Sequence, residues 1–309
     1  MEMAEKKANI DLSGIFPPIP TPFKTDGEDI DYEKLKENFD KWNSKPFKGY
    51  VVMGTNGESV YMSESEKISM VVAARRLANK NQLIIAGSGC ESTMATINLS
   101  NEMAKAGADA LLILTPCYFK SGMNTEALYQ HYIKVADSIE KPLILYNMPG
   151  NTGIDMDSNL VTRLSEHPNI IGLKDSGGDL SKMADIVYKT RDSQFQVLAG
   201  SAGFLYPALA LGSVGGICAL ANVLGDEVCR LYELFIGGHM DEAVVLQQKL
   251  VEPGQAVTRR YSVPGLKHSL DCNGFYGGPC RSPLRSLNGI AQKEVEQAFI
   301  QNGFDLKSL

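Results

Sequence analysis

Cysteine and histidine are scarce in this chain, and neither residue type is spaced as a set of ligands. The 309 residues include six cysteines and four histidines. No two cysteines form a C-x-x-C pair, and no two histidines have the H-x-x-x-H or H-x-H spacing of a metal site. In a chain of this length the pattern predicts reduced thiols, and it argues against a zinc site or a disulfide framework.

Long apolar runs and basic clusters are also missing. The sequence has no stretch of about 18 uninterrupted apolar residues, so we expect no membrane span. The formal net charge is −6, and the densest basic runs are the doublets Arg75-Arg76 and Arg259-Arg260. We interpret both doublets as surface or interface residues and not as a nucleic-acid site. The first residues lack the features of a secretory signal or a mitochondrial presequence, which predicts a soluble intracellular protein.

Eight short apolar runs are present, with amphipathic helical segments between them. Most of the runs are continuous and not alternating, as expected for parallel strands that are covered on both faces. Eight such units predict a (β/α)8 TIM barrel in preference to an open doubly wound sheet. The first run contains four prolines and is the weakest strand candidate. The runs are GIFPPIPTPF (14–23), GYVVMG (49–54), LIIAG (83–87), ALLILTP (110–116), PLILYNMP (142–149), IIGLKD (170–175), FQVLAG (195–200) and GGICAL (215–220).

The C-terminal part of the sequence has a different character. From about Asp226 onward no further apolar strand is present, and the segments have helical periodicity. We therefore expect the barrel to occupy residues 1–235. Residues 236–309 are expected to form a C-terminal helical extension that packs on the barrel as part of one structural unit.

A lysine lies at the end of the sixth run, in the region where such barrels form their active sites. A buried lysine without a partner tends to lose its proton. A neutral amine is a nucleophile toward a carbonyl carbon. Two interpretations of Lys174 remain open from position alone: it forms a Schiff base, or it pairs with Asp175 or another carboxylate at the rim.

Three further strand ends carry candidate binding groups. Tyr146 ends the fifth run, where its phenol could move protons at an imine, although a core tyrosine would look the same. The second run continues into GTNGES (54–59), whose turn is either a carboxylate site or a plain connection. The glycine-rich loops at 199–203 and 212–222 contain no lysine or arginine. Their composition favours a small carboxylate over a phosphate.

Together these strand ends resemble those of the pyruvate-dependent class I aldolases, the family that includes dihydrodipicolinate synthase and N-acetylneuraminate lyase. The resemblance covers residues 13–300. It rests on GTNGES, TPCYFK (115–120), YNMPGNTG (146–153), GLKDSGG (172–178) and GGICALANV (215–223). Within the family, the chain is similar to the 4-hydroxy-2-oxoglutarate aldolase branch in AGSGCEST, HPNIIGLKDSGGD, FQVLAGSAGF, AVTRRYSVPGLK and GFYGGPCRSPL.

The resemblance implies a role for each motif residue. Lys174 matches the Schiff-base lysine, and Tyr146 matches the tyrosine that carries protons to and from the substrate. Thr55 and Asn56 match the pair that holds the pyruvyl carboxylate, and the similar branch often has serine at the position of Thr55. The hydroxyl of Thr55 can also pass the proton to Tyr146. Tyr118 matches a tyrosine that reaches across a subunit interface to complete the relay. The substrate-binding residues implied in this way are Thr55, Asn56, Ser176, Gly200 and Ile217.

The resemblance also implies an activity. The expected enzyme is a metal-independent carbon–carbon lyase without a cofactor that cleaves 4-hydroxy-2-oxoglutarate to pyruvate and glyoxylate and also decarboxylates oxaloacetate. The alternatives are an aldolase for a 2-oxo-3-deoxy sugar acid, a dihydrodipicolinate synthase, a metal-dependent aldolase and a non-catalytic pyruvate sensor. Dihydrodipicolinate synthases carry an arginine where this chain has Asn151, which disfavours that activity. The family implies a homotetramer of two dimers, in the mitochondrial matrix or the cytoplasm.

Overall fold

Eight parallel strands form a barrel in the computed structural model, which describes residues 10–306. The strands are β1 (Gly14–Phe16), β2 (Gly49–Val52), β3 (Leu83–Gly87), β4 (Ala110–Leu114), β5 (Leu143–Asn147), β6 (Ile170–Asp175), β7 (Gln196–Ala199) and β8 (Gly215–Ile217). Neighbouring strands are hydrogen-bonded in the order β1-β8-β7-β6-β5-β4-β3-β2. A bridge between Pro18 and Val51 joins the first strand's continuation to β2 and closes the ring. The predicted TIM barrel is confirmed.

Helices follow the strands around the outside of the barrel and continue beyond the last strand. They are α1 (Tyr32–Trp42), α2 (Glu64–Leu77), α3 (Thr93–Lys105), α4 (Thr125–Ser138), α5 (Pro149–Thr152), α6 (Ser158–Ser165), α7 (Leu180–Thr190), α8 (Leu205–Ala210), α9 (Gly225–Ile236), α10 (Met240–Gln255), α11 (Ser262–Cys272) and α12 (Gly289–Ile300). The last three form the C-terminal helices. None of the helices in residues 10–306 is long and apolar enough to cross a membrane.

The first strand is shorter than the sequence predicts. We expected a run from residue 14 to 23, but β1 ends at Phe16 because Pro17 and Pro18 have no N–H to donate to a neighbouring strand. The chain still follows β2 beyond this point. Ile19 N donates to Val51 O at 2.9 Å, and Val51 N donates to Pro17 O at 3.0 Å.

Short polar side chains fix where many of the helices begin. Ser63 and Glu66 form a capping box, with Ser63 N donating to Glu66 Oε2 at 2.8 Å. This cap holds the start of α2 next to the loop that follows β2. Side chains cap other helices in the same way at Asp31, Ser92, Asn124, Asp157, Asp179 and Asn288.

Alternation along the strands divides the apolar residues into two layers. One set fills the barrel interior, while the other packs between the sheet and the surrounding helices. Leu250, Leu266 and Phe299 of the C-terminal helices belong to the outer layer, so these helices share the barrel's core. The interior set is Leu12, Phe16, Val51, Ile85, Ala110, Leu112, Ile144, Tyr146, Leu198 and Ile217.

The C-terminal helices contain one irregular segment. Residues Ala256–Arg260 form a π-helix that links α10 to α11, and Ser262 after it has a φ of 51°. A left-handed conformation is strained for a serine, and both π-turns and such strain concentrate at functional sites. The sequence predicts helix here but not this interruption.

Candidate active site

A cavity of about 520 Å³ lies at the carboxyl ends of the strands. Seven of the eight residues that the resemblance singles out line it: Thr55, Asn56, Tyr146, Lys174, Ser176, Gly200 and Ile217. The barrel brings them together because the carboxyl ends of parallel strands meet at one rim. The C-terminal helices cover one side of the cavity, with Gln255 and Arg259 among the residues that line it.

Lys174 and Tyr146 form the centre of the cavity. They are paired across β6 and β5, so both side chains point to the same face of the sheet. The Lys174 ammonium group lies 4.0 Å from the centroid of the Tyr146 ring. Both side chains are buried, with relative exposures of 4% each. The amine is therefore shielded from bulk water and adjoins a phenol.

Asp175 is not the partner of Lys174. Neighbouring residues of a strand point to opposite faces, and Asp175 lies on the outer face of β6. There its carboxylate accepts from Asn147 Nδ2 at 2.8 Å and pairs with Lys182 at 3.1 Å. Within residues 10–306, no carboxylate lies within ion-pairing distance of Lys174. Asp175 instead shapes the next loop, since it accepts from Gly177 N at 2.8 Å.

The environment of Tyr146 changes its acidity. Burial raises the pKa of the phenol, but the positive charge of Lys174 and hydrogen bonds with Thr55, Lys174 and Ser176 lower it more. The net result is a pKa below the ordinary value for tyrosine. The phenol oxygen can therefore give up its proton more readily than a free tyrosine, and as a phenolate it can accept one from the neighbouring amine.

The loop after β2 is held in an unusual backbone conformation. Met53 and Glu58 have φ values of 60° and 56°, and they flank the turn at residues 54–57. Thr55 Oγ1 lies 3.2 Å from Tyr146 Oη, and Asn56 Nδ2 donates to Pro18 O at 3.4 Å. The strained flanking residues present a hydroxyl and an amide to the cavity beside Lys174.

Two loops meet next to Lys174 because one position is glycine. Gly200 N donates to Asp175 O at 2.7 Å. A Cβ at position 200 would lie 2.1 Å from Ser176 Oγ and 2.6 Å from Asp175 O. Any other residue would therefore push the loop after β7 away from the loop after β6.

Tyr118 is the one predicted site residue that the structure places elsewhere. Its side chain is 78% exposed, in the loop after β4, and among residues 10–306 it does not line the cavity. Glu91 anchors this loop by accepting from Cys117 N at 3.0 Å and Tyr118 N at 2.9 Å. A role for Tyr118 in the active site of a second subunit stays a prediction.

Arg259 belongs to the cavity, and the sequence analysis missed it. We interpreted the Arg259-Arg260 doublet as a surface or interface feature, but Arg259 lines the cavity from the π-helix. Its Nη2 donates to Gly177 O at 3.1 Å. Arg260 points elsewhere and lies 3.9 Å from Glu252. The π-turn separates the two directions, which a regular helical pattern does not predict.

The charges of the described cavity residues are all positive. Lys174 and Arg259 are its two cationic side chains, and no aspartate, glutamate, histidine or cysteine is among its lining residues in 10–306. Such a lining suits a small anionic ligand. It does not supply the nitrogen, sulfur or carboxylate ligands that protein metal sites use.

A second groove, of about 560 Å³, lies outside the barrel axis. It is lined by Trp42, Lys45, Asp226 and Phe304, among other residues. Its Lys45 and Asp226 form an ion pair with each other. Because Lys174 and Tyr146 line the barrel cavity and not this groove, we assign the active site to the barrel cavity.

A buried lysine and tyrosine at the carboxyl ends of the strands of a TIM barrel define a barrel enzyme of the aldolase type. Comparison with known families gives the particular assignment. The chain belongs to the dihydrodipicolinate synthetase family, whose model matches residues 11–302.

Curated relatives span nearly the whole chain. A protein of Methanoculleus marisnigri is 32% identical over 293 residues, which are 94% of this chain and 100% of that protein. A protein of Archaeoglobus fulgidus is 35% identical over 289 residues, covering 93% of this chain and 97% of the relative. Both are named 4-hydroxy-tetrahydrodipicolinate synthase. The comparisons therefore support the predicted family, but not specifically the 4-hydroxy-2-oxoglutarate aldolase branch.

Solved structures give the same result for the fold. The dihydrodipicolinate synthase of Acinetobacter baumannii, complexed with pyruvate, has a TM-score of 0.90 and 30% identity. That match covers 96% of this chain and 100% of the other. A prophage protein of the same family from E. coli K12, also in complex with pyruvate, has a TM-score of 0.89 and 25% identity, covering 95% and 99% of the two chains.

Proposed function

We propose that this protein is a Schiff-base lyase that forms or consumes pyruvate at Lys174. The observation that carries the proposal is a buried lysine amine without a carboxylate partner among the described residues, next to a tyrosine whose pKa is lowered. A 2-oxo acid needs such an amine as an electron sink. The pyruvate complexes of the two structural relatives support this choice of ligand.

The chemistry follows from the two central side chains. Lys174 gives its proton to the Tyr146 oxygen and attacks the ketone carbon of the 2-oxo acid. Tyr146 returns that proton to the departing hydroxyl group, which leaves as water, so that an iminium ion and the Tyr146 phenolate remain. Tyr146 then takes the proton of the 4-hydroxyl group, and the bond between C3 and C4 breaks. The electron pair passes into an enamine, and the aldehyde leaves. Protonation of C3 and hydrolysis of the iminium release pyruvate and the free lysine.

We infer that the substrate is a dianionic 2-oxo acid, 4-hydroxy-2-oxoglutarate. Thr55 and Asn56 are suited to hold the carboxylate next to the ketone, and Arg259 is suited to hold the distal one. The cavity lining, with two cations and no carboxylate among the described residues, favours two negative charges on the ligand. Cleavage would yield pyruvate and glyoxylate.

The synthase reaction is the second candidate. The names of the relatives, 4-hydroxy-tetrahydrodipicolinate synthase, support it. In this chain α5, which follows β5, presents Asn151 to the cavity, at the position where the resemblance implies the arginine of those synthases. A neutral amide binds a second carboxylate less strongly than a guanidinium group. This difference is why we place cleavage of 4-hydroxy-2-oxoglutarate first.

Two experiments test these proposals separately. Borohydride reduction in the presence of pyruvate should add a pyruvate-derived mass to the peptide that contains Lys174, and the Lys174→Ala variant should gain none. Mass measurement of intact protein and of peptides detects this adduct, and an adduct on another lysine would refute the mechanism. Assays with 4-hydroxy-2-oxoglutarate, oxaloacetate, 2-oxo-3-deoxy sugar acids and the pyruvate plus aspartate-semialdehyde pair then rank the substrates.

The iminium and the assembly give two secondary proposals. Loss of CO₂ from oxaloacetate bound at Lys174 would leave the same enamine, so we expect pyruvate from oxaloacetate as well.

We also infer a homotetramer of two dimers, in which the exposed Tyr118 of one subunit approaches the cavity of another. Mass measurement in solution, together with the activity of Tyr118→Phe, tests this arrangement.

A further inference from the structure

Three side chains of different chemistry meet between α11 and α12. His268 and Cys272 lie one turn apart on α11, and Glu296 faces them from α12. His268 Nε2 lies 2.9 Å from Glu296 Oε1 and 3.4 Å from Cys272 Sγ. All three ligand atoms lie within 4.8 Å of one another. Cys272 is buried, and the other two are half-buried, so the cluster lies just beneath the surface.

A single proton or lone pair on His268 Nε2 serves only one of its two contacts fully. The Nε2 atom of a histidine has either one proton or one lone pair, yet a carboxylate oxygen and a sulfur both approach it. A proton on Nε2 serves the carboxylate and leaves the sulfur without a good partner. A metal ion, by contrast, binds a nitrogen, a sulfur and an oxygen at once.

We propose that His268, Cys272 and Glu296 form a zinc site that links α11 to α12. Ordinary zinc bond lengths and tetrahedral angles place the nitrogen roughly 3.4 Å from the oxygen and roughly 3.6 Å from the sulfur. The observed separations, 2.9 and 3.4 Å, are only slightly shorter. Small side-chain movements therefore open the cluster enough for an ion, and water or an exogenous ligand takes the fourth position.

The donor set selects among the metals. A thiolate and an imidazole favour zinc over magnesium or calcium, which take oxygen ligands. His and Cys at positions i and i+4 face the same side of a helix, so α11 alone presents two ligands. The third comes from α12, and the site therefore joins two separate segments of the chain.

The site is distinct from the cavity, and it acts on the packing of α11. None of its three residues is among those that line the cavity in the described part of the chain. The residue before His268 is Lys267, which is buried and pairs with Glu58 at 2.6 Å, at the end of the turn that carries Thr55. Zinc would thus fix the outer side of a helix whose inner side supports that turn, so we expect added stability and not a role in the chemical step.

Metal binding to the whole protein tests the proposal without relying on activity. The chelator-stripped protein is titrated with Co²⁺, whose absorption reports thiolate ligation, and Zn²⁺ is then used to displace it. We expect one ion per chain, a thiolate band that zinc abolishes, and a higher melting temperature with zinc. Cys272→Ala should lose the band, and His268→Gln should bind more than about tenfold more weakly.

Cys229→Ala is the matched control, because Cys229 is also a buried helical thiol but its sulfur hydrogen-bonds to a backbone carbonyl, that of Pro46. It should bind metal as the unmodified chain does. Glu296→Gln, which keeps the size of the side chain, replaces Cys272→Ala if that variant does not fold. Absence of a thiolate band at ion concentrations well above the protein concentration would overturn the proposal. So would a band that persists in both ligand variants.

Discussion

Two lysines in this molecule are buried, and the surroundings of their amino groups differ. Lys174 at the barrel mouth is 4% exposed, and Lys267 on α11 is 1% exposed. Each ammonium group lies over an aromatic ring, at 4.0 Å from the centroid of Tyr146 and 4.6 Å from that of Phe23. Among the residues that the structure describes, a carboxylate pairs with Lys267 and none pairs with Lys174: Lys267 Nζ lies 2.6 Å from Glu58 and also donates to Pro279 O at 2.7 Å.

The difference separates a structural cation from a reactive amine. Burial lowers the pKa of Lys267 below its ordinary value, and the charge of Glu58 offsets this effect only in part. A buried pair of this kind stays in place because losing either partner leaves an uncompensated charge. Lys174 has a titratable phenol as its neighbour instead of a carboxylate. Its amine can therefore be freed for a carbonyl carbon, which is the use that we propose for it.

Replacement of Lys174 by methionine should give the largest effect on function. We expect activity to fall by at least about 10⁴-fold, because the electron sink is gone. Stability should be unchanged or rise by about 1 kcal/mol, since a buried amine that has no carboxylate partner among the described residues is removed. Turnover assays and denaturant unfolding measure the two effects. Retained turnover would contradict the assignment, whereas lost folding would mean that Lys174 is structural like Lys267.

Tyr146→Phe should reduce turnover next most strongly. The ring beneath the Lys174 ammonium group remains, but the hydroxyl that contacts Thr55 at 3.2 Å is lost. A missing proton relay lowers the rate by about 10²–10⁴-fold. Borohydride trapping of pyruvate should slow but still occur at Lys174. An unchanged turnover number would identify Tyr146 as a packing residue only.

Loss of the ion pair between Lys267 and Glu58 should lower the stability of the fold more than it lowers enzymatic activity. Glu58→Gln keeps an acceptor for Arg281 N, which now lies 2.8 Å from Glu58 Oε2, but leaves Lys267 unpaired. We expect a loss of about 3–5 kcal/mol in the free energy of unfolding. The double variant with Lys267→Met should recover most of it, in a double-mutant cycle measured by denaturant unfolding. If the two single effects simply add, the pair carries no special role.

The sequence predicts one of these lysines and not the other. Lys174 ends an apolar run, so its burial and its place at the rim follow from strand periodicity and barrel geometry. Lys267 pairs with a glutamate 209 residues away in the chain, and no local pattern predicts that contact. The barrel, Lys174 and Tyr146 were predictable because they repeat or end regular strands, whereas Ser176, Gly200 and Ile217 were placed through the resemblance. Tyr118 was placed through resemblance alone.

Several other residues of interest could not be predicted from the periodicity of the sequence. Arg259 reaches the cavity because of a π-turn, which a helical pattern of apolar residues does not reveal. The strain at Glu58 and Ser262 is likewise set by tertiary contacts and not by residue type. His268 and Cys272 have a ligand spacing that a search for histidine pairs overlooks, and their third partner lies on a different helix.

Replacement of Arg259, the exposed cation of the active-site cavity, should reduce activity least. This replacement tests whether the substrate is a dianion. Arg259→Gln removes the charge but keeps an amide. We expect KM for 4-hydroxy-2-oxoglutarate to rise by about 10–100-fold, the usual range for losing one hydrogen bond to a charged group. Trapping of pyruvate, which has one carboxylate, should be unaffected. Steady-state kinetics and the borohydride adduct measure the two responses.

Arg260→Gln is the matched control, because the neighbouring guanidinium points toward Glu252 at 3.9 Å and not into the cavity. It should leave KM within about twofold, as a surface ion pair contributes little. If both variants raise KM equally, the effect comes from the total charge of the π-helix and not from contact with the substrate. If Arg259→Gln weakens pyruvate trapping as much as it weakens cleavage, Arg259 affects the reactivity of Lys174. In that case the proposed contrast between a buried reactive cation, Lys174, and an exposed substrate-binding cation, Arg259, is wrong.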